Sequence, residues 1–476
     1  MKRIKLCVVA VIILSGVGLG QGEIISLDRY MALVEKNNPQ MQAILAQIEA
    51  AKNNLAATQR AVEPFVLSVS GNYTDDTYSG FNQGLDKVKT TAFSGSVTKQ
   101  FMTGTGITVG GTTSNSAYTP LQDVILLNDG NSTLAPFVSL QQSLWKDLVF
   151  GSSYYTIQAS KASMKAALYN LEYAKQQFII GAKNVYWNLS YAKTNTVYRE
   201  ASLKRYQQLL EWNQRRVQLD LGERADLLQA QASQKTGQLN FMVAQQNERQ
   251  ARRAFNQFLN VDSDSNQYDT VGFEAGAQVY LVTKDISKKS MRADTLAAVE
   301  TAKAAEFSQK ASKNNAGMDI VLSGRYTANG SGITFSDAQK VDKPVYTIGV
   351  TLSLPLDFIR WNKVVKSYEQ NAIAAQKSAD SALAQEKTDW DNLLDSWKND
   401  IAQLGMAKEV QDYYQRYVEE NRHLLQRGRT TTNLLIQSEE ALDSAALAVF
   451  GASLTLIMDY EKSNTYYNWQ KEEAAK

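Results

Sequence analysis

Side chains that commonly carry chemistry are scarce in this chain of 476 residues, which has one histidine, His423, and one cysteine, Cys7. His423 has no second imidazole and no thiol near it, so a nitrogen and sulfur metal site and a Ser-His or Cys-His nucleophile are both excluded. Gly104, Gly106 and Gly110 suggest a nucleotide loop. Their spacing departs by one from the dinucleotide fingerprint, however, and an alternating strand pattern follows where a helix is needed. No catalytic residue, metal or cofactor is expected, and the chain does not read as an enzyme. Nucleic acid is excluded as a partner by charge: 50 basic against 48 acidic side chains leave a formal +2 and no basic field.

The remaining candidates lie at two breaks in long helical patterns, Leu221-Gly222-Glu223 and Arg427-Gly428-Arg429. Glycine permits the φ > 0 conformation that a tight helix-helix turn uses. Asp226 opens the helix after the first break, and Asn433 and Leu434 hold the matching place after the second. Taken singly, Asp226 and Arg429 read as solvated charges at helix ends.

Long helices must position these breaks. The chain has 6 prolines, and none falls in 137–343 or 356–476, so nothing interrupts helices there. Helical spacing is predicted over Ser26–Glu63 with a break at Asn37-Asn38-Pro39, over Ser152–Asp220, and over Ala225–Leu259. It returns over Ala293–Lys313, Asp357–Gln426 and Asn433–Gln470. The longest have coiled-coil seams, in Leu171, Ala174, Phe178, Ala182, Val185, Leu189 and Ala192, and again in Trp390, Leu394, Trp397, Ile401 and Leu404. Each would extend on the order of 100 Å, too long for a compact globular core.

Between helices the period changes to two. Phe65–Tyr73, Thr91–Phe101, Gly106–Ser114, Pro136–Leu144, Asp319–Thr327 and Pro344–Leu354 alternate as strands, each near the length a tilted strand needs to cross a bilayer. Ala328–Lys343 reads as a polar loop, and Asn260–Lys289 as a small α/β insert with alternation at Val279–Val282. The fold class is mixed α and β, mainly α, with an internal duplication. Val69-Ser70-Gly71-Asn72-Tyr73-Thr74 matches Leu322-Ser323-Gly324-Arg325-Tyr326-Thr327, and Gly222 with Asp226-Leu227-Leu228-Gln229 matches Gly428 with Asn433-Leu434-Leu435-Ile436. The resulting domains are 1–22, a signal peptide with Lys2, Arg3 and Lys5 before an apolar stretch; 23–260, the first repeat; 261–290, a linker or insert; and 291–476, the second repeat. No transmembrane helix is expected after the signal.

Strands in a bilayer are stable only as a closed barrel. Four to six per chain cannot close around a channel, whereas three copies of four give twelve. A soluble periplasmic coiled-coil scaffold, with the strands as a cap, is the alternative.

The Asn37-Asn38-Pro39 entry helix, Ser353-Leu354-Pro355-Leu356 after a strand, and Gly428-Arg429-Thr430-Thr431-Thr432 leading to Leu435 and Glu439-Glu440-Ala441-Leu442 resemble the TolC family of outer-membrane efflux factors. The resemblance covers nearly all of the chain beyond the signal. It implies a homotrimer whose strands form a β-barrel in outer-membrane lipid and whose helices form a tunnel in the periplasm. It implies partners too: a periplasmic adaptor (membrane fusion protein) and an inner-membrane pump of RND, ABC or MFS type, in efflux or type I secretion. The two turns become adaptor-docking tips, with Asp226, Asn433 and Leu434 at the tunnel aperture and an acid of one tip paired with a base of the other.

Overall fold

The computed structural model describes residues 22–60, 65–77, 85–120, 128–147, 151–274, 276–277, 286 and 290–466. The signal segment apart from Gly22, the alternation at Val279–Val282 and the end of the last predicted helix beyond Tyr466 lie outside these residues. In chain order the elements are β1 (Glu23–Ile25), α1 (Leu27–Asn37), α2 (Pro39–Arg60), β2 (Phe65–Asp76), β3 (Leu85–Gln100), β4 (Thr105–Pro120), β5 (Gly130–Ser143), α3 (Ser152–Gln218) and α4 (Arg224–Leu259). There follow β6 (Tyr268–Thr270), α5 (Ala293–Asn315), β7 (Asp319–Gly332), α6 (Phe335–Ala338), β8 (Lys343–Ser353), α7 (Phe358–Gln426) and α8 (Thr432–Ser463). The chain divides into two compact units, each drawing on both halves of the sequence.

The first unit comprises Met1–Leu45, Ala174–Ser290 and Thr388–Lys476. Its centre is aromatic: Tyr30 of α1 stacks on Phe255 of α4 with ring centroids 4.7 Å apart and meets Tyr186 of α3 at 5.4 Å. The Tyr186 hydroxyl donates to Ile25 O at 2.8 Å, tying α3 to β1, and β1 pairs in parallel with β6. The α1–α2 break is held by Asn38, whose Oδ1 accepts from Gln40 N at 2.9 Å while its Nδ2 donates to Phe258 O at 2.9 Å. Of the predicted seams, Phe178, Ala182, Leu189, Ala192 and Trp397 are buried, whereas Ile401 is 50% exposed and Leu393 takes the inward place near Trp397. By length and composition alone, α8 continued to Tyr466 is long and apolar enough to cross a membrane. It instead packs in this unit, with Glu439, Asp443, Asp459 and Glu461 all buried.

The second unit comprises Ala46–Tyr173 and Met291–Lys387 and carries a sheet of order β2-β3-β4-β5-β7-β8, antiparallel throughout. Five of the six strands run 12 to 16 residues, longer than the alternating cores read from sequence, because mostly polar residues continue the pairing past the apolar stretch, while β8 keeps the expected 11. Of the four to six strands per chain that the sequence left open, the described residues place six in this sheet, since β3 and β4, which holds the Gly106–Ser114 alternation, form a hairpin inside it. The predicted polar loop Ala328–Lys343 is partly ordered as the end of β7 and as α6.

Candidate functional site at the helix tips and the two-faced sheet

Both tips belong to the first unit and end their helices in the same way. At the end of α3, Leu221 N donates to Arg216 O at 2.8 Å and Asp220 N to Val217 O at 3.2 Å. At the end of α7, Arg429 N donates to Leu424 O at 2.8 Å and Gly428 N to Leu425 O at 3.0 Å. This pair of bonds, one reaching back five residues and one three, is the Schellman closure, which puts one residue in the left-handed region. That residue is Gly428 at φ 68° in the second tip and Asp220 at φ 56° in the first.

The expectation that Gly222 supplies a positive φ is therefore overturned, since aspartate tolerates that region better than most residues. Gly222 is needed for space instead: a Cβ there would lie 2.9 Å from Arg216 Cβ. Arg216 is itself fixed, donating from Nη2 to Leu221 O at 2.8 Å and lying over the Trp212 ring. Superposing the closures makes Asp220 equivalent to Gly428 and Glu223 to Thr431. Asp226 is then equivalent to Leu434, one position beyond the sequence match with Asn433. Thr431 caps α8 through Leu434 N, while Glu223 makes no such bond.

Leu221, Glu223, Arg427, Gly428, Arg429, Asn433 and Leu434 are exposed, and Asp226 is half-buried. The tips are joined by Gln229 Nε2, which donates to Asn433 Oδ1 at 2.6 Å. Just behind them Thr432 Oγ1 donates to Asn213 Oδ1 at 3.0 Å, over a core of Leu209, Val418, Leu425, Leu435 and Ile436.

Sequence reasoning missed the charges that fasten α8. Arg205 of α3 donates from Nε to Glu439 Oε2 at 2.7 Å and from Nη2 to Asp443 Oδ1 at 2.6 Å. Ser202 Oγ also donates to Asp443, and Arg422 of α7 to Glu439. Both carboxylates are nearly inaccessible, Glu439 at 3% and Asp443 at 4%. Burial pushes the Asp443 carboxyl above its ordinary range despite Ser202 and Arg205. Burial also works against the Arg205 charge, but Glu439 and Asp443 together outweigh it and hold the guanidinium more firmly protonated. A cavity of about 290 Å³ adjoins this cluster, lined in part by Tyr206, Trp212, Arg422 and Leu425.

The sheet of the second unit has two chemically distinct faces, fixed by its register. On one, Phe65, Leu67, Val69 and Tyr73 of β2 align with Val97 and Phe93, then Val109, Val138, Leu140, Tyr326, Tyr346, Ile348 and Leu352 on later strands. This face is bare: Ile348 is 82% and Val69 76% exposed. It is bounded at one end by Lys99, 4.6 Å from the Phe65 ring centroid, and at the other by the Asp75–Lys87 pair at 2.9 Å. Ten residues of tilted strand between Phe65 and Asp75 give a band about 25 Å tall, the height of a bilayer's apolar layer.

The opposite face is a field of hydroxyls, cross-bonded between strands at Ser70–Ser94 (2.7 Å), Thr98–Thr108 (2.9 Å), Thr90–Ser116 (3.0 Å) and Ser114–Thr133 (2.6 Å).

The chain shares this fold with known outer-membrane proteins. VceC from the bacterial pathogen Vibrio cholerae matches at TM-score 0.64 and 15% identity over 92% of this chain and 95% of that one. The Campylobacter jejuni CmeC outer membrane channel matches at 0.61 and 15%, over 94% and 88%. The Neisseria gonorrhoeae MtrE outer membrane channel, in its open state, matches at 0.62 and 14%, over 92% and 88%. No protein-family model matches the chain, and no curated protein matches it in sequence. Mainly helical with a β-sheet part, the fold matches that of these channels, in keeping with the sequence resemblance.

Proposed function

We propose that the chain is a TolC-family channel-tunnel: a homotrimer whose sheets close into a barrel in the outer membrane and whose helices form a periplasmic duct. In this reading it is the exit of a tripartite efflux or type I secretion system. The tips at Leu221-Gly222-Glu223 and Arg427-Gly428-Arg429 dock a periplasmic adaptor joined to an inner-membrane pump of RND, ABC or MFS type. Asp226 and Leu434, with Asn433 beside them, line the aperture.

One observation carries the reading. The sheet presents a bilayer-high apolar band on one face and hydroxyls on the other, with β2 and β8 at its edges, each paired on one side only among the described residues. Open edges in hydrocarbon leave backbone groups unsatisfied, and copies of the same sheet can satisfy them. A periplasmic scaffold with a soluble cap would leave that apolar band in water, far beyond the exposed apolar patches of soluble monomers. Fractionation of expressing cells tests this: the protein should enter the outer membrane and leave it only in detergent, as a trimer. A soluble monomer in the periplasm would overturn the proposal.

A further inference from the structure

The β3–β4 hairpin changes what such an exit can pass. Six strands leave β2 and β8 as edges of 12 and 11 residues, both exposed along nearly their whole length. With an even number of antiparallel strands the edges run in opposite directions. The β8 of one copy can therefore continue the ladder onto the β2 of the next. Three copies then give eighteen strands. At about 4.8 Å between strands and about 40° of tilt, opposing backbones lie about 36 Å apart, against about 24 Å for twelve strands. Side chains of about 5 Å on each wall leave an opening of about 25 Å in place of about 14 Å.

The lining is also unusual in charge. Among the paired, inward-facing positions the charged residues are Asp76, Asp319, Arg325 and Lys343, and all but Arg325 stand at strand ends. Arg325 itself is drawn against the wall: its guanidinium lies 3.6 Å from the centroid of Phe137, and its Nε donates to Thr327 Oγ1 at 3.2 Å. The rest is mostly Ser, Thr, Asn and Gly, groups that bind water without sorting solutes by charge.

We infer that this chain builds an eighteen-stranded, hydroxyl-lined outer pore whose cargo class is bulky, hydrated solutes of low net charge. The inference rests on the duct reading and deepens it. The only cysteine is Cys7, in the signal segment, so cysteines introduced elsewhere report alone. In whole cells, Ser96→Cys on the hairpin and Thr347→Cys on β8 are to be labelled from outside with maleimides on neutral polyethylene glycols of increasing size. Both sites should label with polymers up to about 25 Å across, and small cationic and anionic maleimides should react within about threefold of each other. Val97→Cys, on the apolar face, should stay unlabelled.

Removing residues 85–120 should drop the cutoff at Thr347→Cys to about 14 Å; if that variant does not assemble, the full-length cutoff decides. An assembled trimer with a cutoff near 14 Å, an unreactive Ser96→Cys, or a tenfold charge preference would overturn the inference and leave the duct standing. Absence of any membrane-inserted trimer would overturn both.

Discussion

Asp220 and Gly428 occupy the same position in two helix tips more than two hundred residues apart, each in the left-handed region and each closing its helix with the same pair of backbone bonds. One tip meets the strain with glycine and the other with aspartate.

The two positions should therefore respond in opposite directions. Asp220→Gly should stabilise by up to about 1 kcal/mol, and Gly428→Val should cost about 1 to 2 kcal/mol. Gly222→Val should also destabilise, through Arg216 rather than through φ. Denaturant melts of the three variants check the signs. Trimer yield should survive each change, while cross-linking to the adaptor falls for Gly222→Val and Gly428→Val.

Behind the tips, Arg205 is expected to matter more than the charges at the aperture. Arg205→Ala leaves Glu439 and Asp443 buried without their shared partner, at a cost of about 3 to 5 kcal/mol. Asp226→Ala and Arg429→Ala should each cost less than about 1 kcal/mol. If the aperture is closed by Asp226 and Arg429 across copies, either change also raises single-channel conductance, and the double variant adds less than the sum.

The Asp443 carboxyl gives a pH signature. Its folded value lies above the unfolded 3.8, so the folded state binds the extra proton. The contribution is full below 3.8 and is lost as pH rises through the raised folded value. Relative to Asp443→Asn, the parent protein should lose stability across that window and run parallel above it. Denaturation midpoints over a pH series would show it, and parallel curves throughout would contradict it.

How much of this was legible in the sequence depended on the range of the signal. Alternation at Phe65–Tyr73 and the seam through Ala182 and Leu189 are local patterns, and the structure places both as read. The strand ends were hidden because Ser and Thr look alike in a loop and on a wetted strand face. Position 220 was hidden because a glycine two residues on drew the expectation. Glu439 and Glu440 are adjacent and chemically the same, yet one is buried on Arg205 and the other exposed. Their difference lies in a partner 234 residues away, which no local period can reveal.

The two faces of the sheet predict unequal tolerance of charge. Val69→Arg or Ile348→Arg, in the middle of the apolar band, should cost about 2 to 4 kcal/mol of membrane assembly. Ser70→Arg, one residue along and on the hydroxyl face, should leave outer-membrane trimer yield nearly unchanged. Heat-modifiable trimer on gels provides the measurement.

The central claim is that three copies close one barrel in the outer membrane. Its most direct test is the mass of the protein extracted from outer-membrane fractions in mild detergent, measured by light scattering with the detergent contribution removed. The account predicts three copies of the chain, inserted and inaccessible to salt or carbonate extraction. A monomer released from the periplasm without detergent would contradict it.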